Sequence, residues 1–140
     1  MSVATIVDTG PIVALLSDSD RWHGWAKEQF AALRAPLATC EAVMAEASFL
    51  LRADRRATEA LFGLLERSVL EIRFRLGEEH AAVRALLRRY ADLPMSLADA
   101  CLVRMTELAR DAPVLTLDGD FAIYRRLGRL AIPLITPRQR

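Results

Sequence analysis

The chain has 140 residues, 53% of them hydrophobic, with a formal net charge of +1 and a mean hydropathy of +0.18. That length predicts a single domain over residues 1–140, able to bury roughly two thirds of the surface its unfolded form exposes. No apolar run reaches the ~20 residues of a membrane helix, and the N-terminal stretch lacks the basic region and unbroken apolar run of a secretory signal. A soluble, cytoplasmic protein with no membrane partner is therefore expected.

The two cysteines, Cys40 and Cys101, lie far apart in apolar patterns and read as core residues rather than as a zinc or disulfide framework. A net charge so near zero announces no nucleic-acid binder by itself. Every basic residue except Lys27 is arginine, the side chain whose planar fork grips phosphate and carboxylate. An Ala-, Leu- and Arg-rich composition of the kind GC-rich genomes encode is the stronger explanation of that bias.

In chain order, VATIV (3–7) reads as a short buried strand and PIVALLS (11–17) as a helix with Pro11 in its first turn. From Asp20 to Arg34, Trp22, Trp25, Ala26, Phe30 and Leu33 recur at helical spacing. A short strand at 36–39 precedes helices at 41–53 and 55–67, and VLEIRF (69–74) reads as a strand. Residues 78–91 form a helix with Glu78 and Glu79 first and Arg88 and Arg89 last, as the helix dipole prefers. A helix over 97–110, a strand at 113–117, a short helix through Leu127 and a last strand at 132–135 complete the chain. Strands alternating with helices, without hairpin signals, predict an α/β protein: a mostly parallel sheet of four to five strands in a three-layer α/β/α arrangement.

Four carboxylates stand where carboxylates are costly. Asp8 interrupts the apolar run VATIVDTGPIVALL, and a lone buried carboxylate costs several kcal/mol unless something pairs with it. Asp118 follows the strand PVLTL, so both acids fall on the carboxyl edge of the sheet, where ligands bind in such folds. Glu46 is flanked at helical spacing by Ala42, Val43, Phe49 and Leu50, and Asp99 is the only charge in LADACLV (97–103). Ser96 and Asp99 also spell a capping box, which offers Asp99 a purely structural role.

If the four converge, repulsion between neighbours ~4 Å apart is about 4 kcal/mol per pair at an effective dielectric near 20, so a cation belongs among them. No lysine lies nearby, and His23 and His80 fall on helix faces that look solvated. An all-carboxylate site suits a hard divalent ion, Mg²⁺ or Mn²⁺, and that combination is the chemistry of phosphodiester hydrolysis.

IVDTGPIVALL, CEAVMAEASFLL with Glu46, YADLPMSLADACLV and VLTLDGDF, in that order, resemble the PIN-domain nucleases of the VapC toxin type along nearly the whole chain. The resemblance implies a metal-dependent endoribonuclease with Asp8 and Asp99 as principal metal ligands. Glu46 and Asp118 would bind a second ion or orient water. It further implies an RNA substrate, a VapB-like antitoxin and a homodimer. The apolar residues Phe49, Leu50, Leu61, Phe62, Leu64 and Leu65 give modest support to a partner surface, although core packing is the commoner explanation of them. Thr9 and Thr116 stand beside two of the acids and can bond a carboxylate or phosphate, and Arg52, Arg55 and Arg56 can reach RNA phosphates. Asp120 reads as the cap of a short helix beginning at Phe121, and Asp92 as a turn former before Pro94.

Other readings fit less well. A haloacid-dehalogenase-type phosphatase wants a second aspartate where Gly10 stands, and a receiver domain wants a lysine at a strand end. A catalytically idle RNA-binding or regulatory subunit, or a housekeeping RNA-processing nuclease, would share the fold.

Overall fold

The computed structural model describes residues 4–137. Val3, the first residue of the expected opening strand, lies outside them. The strands are shorter than the apolar runs that encode them: β1 is Ile6–Val7, β2 Leu37–Thr39, β3 Leu70–Ile72, β4 Val114–Leu115 and β7 Leu134–Ile135. Each of Ile6, Val7, Leu37, Ala38, Val114 and Leu115 is buried, as a strand covered on both faces requires.

These five strands form one parallel sheet in the order β3-β2-β1-β4-β7. Ile6 stands opposite Ala38 on one side and Val114 on the other. The chain thus lays β2 and β3 to one side of β1, then returns to lay β4 and β7 on the other. The order reverses between β1 and β4, and diverging connections there open a crevice beyond the carboxyl ends of the strands.

Among the described residues six helices flank the sheet: α1 (Thr9–Leu16), α2 (His23–Ala32), α3 (Glu41–Leu50), α4 (Arg55–Glu66), α5 (Leu76–Arg89) and α6 (Leu97–Leu108). α1 packs against α2, α3 and α4, and α5 against α6, in the three-layer arrangement the sequence predicts. Local chemistry sets several starts. Asp54 accepts a hydrogen bond from the Ala57 N–H (3.2 Å) at the head of α4. α2 begins at His23, later than expected, because Asp20 accepts from the Trp22 N–H (2.8 Å) in a tight turn first. His23 is also less solvated than its helix position suggests, since its Nδ1 lies 2.8 Å from the Ala14 carbonyl. Cys40 and Cys101 are free thiols and buried, as expected.

The segment after β4 differs from expectation. In place of a helix through Leu127, a single 3₁₀ turn covers Gly119–Ala122, and an antiparallel hairpin follows, β5 (Arg125–Arg126) with β6 (Leu130–Ala131). Its turn holds Leu127 at φ 52° and Gly128 at φ 79°, a conformation leucine seldom adopts. Tertiary bonds hold it: the Leu127 N–H donates to Glu107 (2.6 Å), and the Arg89 guanidinium donates to the Gly128 carbonyl (2.6 Å). Above the turn, Tyr124 is fully buried between Phe121 and Tyr90, edge to face, with centroids 5.3 and 5.1 Å apart.

Candidate active site

The crevice between β1 and β4 holds the acids. Asp8 follows β1 directly and caps α1: one carboxylate oxygen accepts from the Thr9 N–H (2.7 Å) and the other from the Thr116 hydroxyl (2.7 Å). Its own N–H donates to the Leu115 carbonyl (3.0 Å), the last rung tying β1 to β4. Asp118 lies just beyond β4, and its N–H donates to the same Thr116 hydroxyl (2.9 Å). One buried threonine therefore fixes the spacing of two acids from different strands.

Asp99 enters from the first turn of α6. The capping box is formed in full: Asp99 N–H donates to the Ser96 hydroxyl (3.0 Å), and Ser96 N–H donates to Asp99 Oδ2 (3.1 Å). Capping and site membership are compatible, because the cap orients the carboxylate toward the other two acids. Tyr124 adds a weaker bond, its hydroxyl donating to the same Oδ2 (3.4 Å). No sequence signal pointed to Tyr124, which stands in an irregular segment.

Asp8, Asp99 and Asp118 each offer one carboxylate oxygen, all within 4.8 Å of one another. Glu46 is outside this trio but lines the same cavity of about 540 Å³, and its Oε1 accepts from the Thr9 hydroxyl (2.8 Å). Phe49 and Leu50, one turn farther along α3, form an apolar wall of that cavity and remain 62% and 58% exposed.

The electrostatics match the geometry. Burial pushes the Asp8 carboxyl up from 3.8 to about 6, against the opposing bonds from Thr116 and Thr9, with further upward pressure from Asp99 and Asp118. Asp99 is likewise raised, first by burial and then by the charges of Asp118 and Glu46, against its bonds to Ser96. Among the described residues, no ion pair engages any of the four acids, so arginine pairing does not explain them. A concave, all-oxygen donor set in which Asp8 and Asp99 are raised by burial and by neighbouring carboxylates is suited to a hard divalent cation, which would relieve both burial and repulsion.

Thr116 is fully buried and donates to Asp8, and Thr9 donates to Glu46, so each bonds a carboxylate of the site; other expected roles change. Asp120 does not cap the short helix. Asp118 does, accepting from the Asp120 N–H (2.9 Å), and the turn begins at Gly119 instead of Phe121. Of the apolar residues offered as partner surface, Leu61 and Leu64 are buried in the core, while Phe49, Leu50 and Phe62 are exposed. Arg52 is exposed, with its guanidinium 3.9 Å over the Phe49 ring and a bond to the Phe49 carbonyl (2.7 Å). Arg55 and Arg56 are exposed in the first turn of α4, and Asp92 lies in an exposed turn before Pro94.

A parallel sheet with carboxylates from β1, α3, α6 and the end of β4 gathered at the reversal of strand order defines an acidic nuclease-like centre on an α/β scaffold. The family model for the PIN domain matches residues 5–127, and the chain belongs to the PIN-domain family. Among solved structures it is similar to Mycobacterium tuberculosis VapC20, described as a Sarcin-Ricin loop cleaving toxin. The two are 25% identical with a TM-score of 0.75, over 86% of this chain and 94% of that one. No curated protein matches the sequence. Among the described residues, no helix is long and apolar enough to cross a membrane.

Proposed function

We propose that this chain is a metal-dependent endoribonuclease of the VapC toxin type, with Asp8, Asp99, Asp118 and Glu46 as its working acids. The observation that carries the reading is the convergence of three aspartate oxygens within 4.8 Å at the β1/β4 crevice of a PIN domain. Asp8 and Asp99 hold the principal divalent ion, Mg²⁺ or Mn²⁺, with Asp118 at the cavity mouth as a third ligand. When bound, such an ion acidifies water and neutralises charge that develops on a phosphate during in-line displacement.

The protein's own groups prepare that chemistry. Thr116 and the α1 N-terminus keep Asp8 in one rotamer, and the Ser96 cap does the same for Asp99, so little reorganisation accompanies loading. Glu46, steadied by Thr9, stands beside the trio as a proton acceptor for water or as a ligand to a second ion. Arg52, stacked on Phe49 of the cavity wall, and the exposed Arg55 and Arg56 at the head of α4 meet RNA phosphates. The exposed Phe49 and Leu50, which wall the cavity, and the exposed Phe62 on α4 offer a VapB-like antitoxin apolar surface. A homodimer and a cytoplasmic location complete the reading, on family grounds.

The test is cleavage of total RNA, and of an oligonucleotide carrying a sarcin–ricin loop, by the partner-free protein with Mg²⁺ or Mn²⁺ and then with excess EDTA. Cleavage that disappears with EDTA, and in folded Asp8→Asn and Asp99→Asn variants, is the expected result. Equal cleavage by the wild type and both variants would remove the acids from the mechanism.

A further inference from the structure

The chain's net charge of +1 hides an uneven distribution. α5 ends with Arg84, Arg88 and Arg89, and the β5–β6 hairpin contributes Arg125, Arg126 and Arg129. The two segments are some 40 residues apart in sequence but joined in space. Arg89 bonds the Gly128 carbonyl (2.6 Å), and the Arg125 N–H donates to the Tyr90 hydroxyl (2.9 Å). They make one arginine-rich face.

The nearby acids neutralise only part of it: Asp111 pairs with the largely buried Arg126 (3.8 Å), and Glu107 is occupied by Arg104 (3.2 Å) and the Leu127 N–H. Arg84, Arg88 and Arg129 are exposed and, among the described residues, have no side-chain hydrogen bond or ion pair, including with Asp92 in the turn after α5. A helix dipole accounts for cations in the last turn of α5. It does not account for Arg84, four residues before Arg88, where like charges repel, nor for the hairpin arriving with more of the same sign.

The face is linked to the acidic cavity through the core: Tyr90 at its edge packs on the fully buried Tyr124, whose hydroxyl bonds Asp99. A polyanion approaching the cavity is repelled by the acids and needs compensating charge alongside them. On the basis of the ribonuclease reading above, we propose that this face is the track for the RNA backbone entering the site, with Arg84, Arg88 and Arg129 binding phosphates of nucleotides flanking the scissile bond. Planar guanidinium groups without internal partners suit that role, and phosphate contacts position a strand without reading its sequence.

The test uses the full chain with Arg84→Gln, Arg88→Gln and Arg129→Gln combined, positions whose side chains hold nothing together in the fold. Binding of a labelled single-stranded RNA is measured in EDTA by fluorescence anisotropy from about 50 to 200 mM salt. Cleavage of the same RNA and hydrolysis of bis(4-nitrophenyl) phosphate are measured with Mn²⁺. The expected result is RNA affinity about 10- to 100-fold weaker, and a log–log salt dependence shallower by about 2, since each lost phosphate contact on a single strand removes roughly 0.7. Cleavage of dilute RNA falls in proportion, and hydrolysis of the small diester is unchanged. RNA affinity, salt slope and cleavage that all match the wild type would overturn the inference while leaving the ribonuclease reading intact, and would assign the face to a protein partner. A wild type that cleaves neither substrate would overturn both.

Discussion

Replacing Asp8 by asparagine should stabilise the metal-free protein while abolishing its activity. Asp8 is raised from 3.8 to about 6, so at neutral pH its ionised form is held in the fold against about 3 kcal/mol of burial and repulsion. Asparagine removes the charge at nearly constant volume. It keeps the bond from the Thr9 N–H but turns the bond with Thr116 around, so the Thr116 hydroxyl proton loses its acceptor, at about 1 kcal/mol. The net is a gain of about 1–2 kcal/mol in EDTA, or roughly 5 °C in melting temperature for a chain of this length. With a divalent ion at a hundredfold its Kd, the wild type gains about 2.7 kcal/mol from ligation and the variant gains little, so the order of stability inverts. Thermal and urea unfolding in EDTA and in Mn²⁺, on both proteins, measure the crossover. A variant less stable than the wild type in both buffers would refute the reasoning, because Asp8 would then be an ordinary structural cap.

The same shift sets a pH dependence in EDTA. A raised carboxyl contributes stability that is complete below its unfolded value of 3.8 and is lost as pH rises through about 6, so metal-free stability should fall between pH 4 and 7. Asp99, raised as well, adds to this slope, and Asp8→Asn should flatten it in urea titrations. Thr116→Val leaves a carboxylate oxygen of Asp8 and the Asp118 N–H without their partner, which should cost about 1–3 kcal/mol and at least tenfold in RNA cleavage, while Thr116→Ser restores both. Tyr124→Phe keeps the aromatic packing and removes one bond to Asp99; Mn²⁺ affinity by calorimetry should weaken roughly tenfold with stability nearly unchanged. Phe62→Ser should leave RNA cleavage by the free protein intact and weaken capture by the proposed VapB-like antitoxin about 10- to 100-fold in surface-binding measurements.

The acids were legible because their surroundings were not acidic. A carboxylate inside IVDTG or LADACLV has no surface to occupy, and the alternation of strands and helices assigned Asp8 and Asp118 to one edge. The groups that hold them were less legible. Thr116 reads as one more β-branched strand residue until the β1–β4 pairing brings it to Asp8, 108 positions away. The hairpin was invisible for a related reason. Its turn places leucine and glycine in left-handed conformations without an Asn-Gly or Asp-Gly signal, and it depends on Glu107 and Arg89 from other elements. Periodicity captures what a segment does on its own, whereas these features exist only once the layers have packed.

The strand order explains why stability and chemistry conflict at this place. Where the strand order reverses, β1 and β4 end side by side and their connections diverge, leaving the acid-lined cavity beyond them. A protein built only for stability would close it with apolar residues, as Ile6, Val7, Val114 and Leu115 do one layer below. Here the first residue past β1 and the first acid past β4 are both aspartates, one buried almost completely and the other at the opening. The fold tolerates buried aspartates here because each sits at a helix start and accepts a backbone N–H there, Asp8 from Thr9 at α1 and Asp99 from Ser96 at α6. Those caps stabilise the anions only in part, since both carboxyls remain raised, and the unmet remainder is what a cation would satisfy.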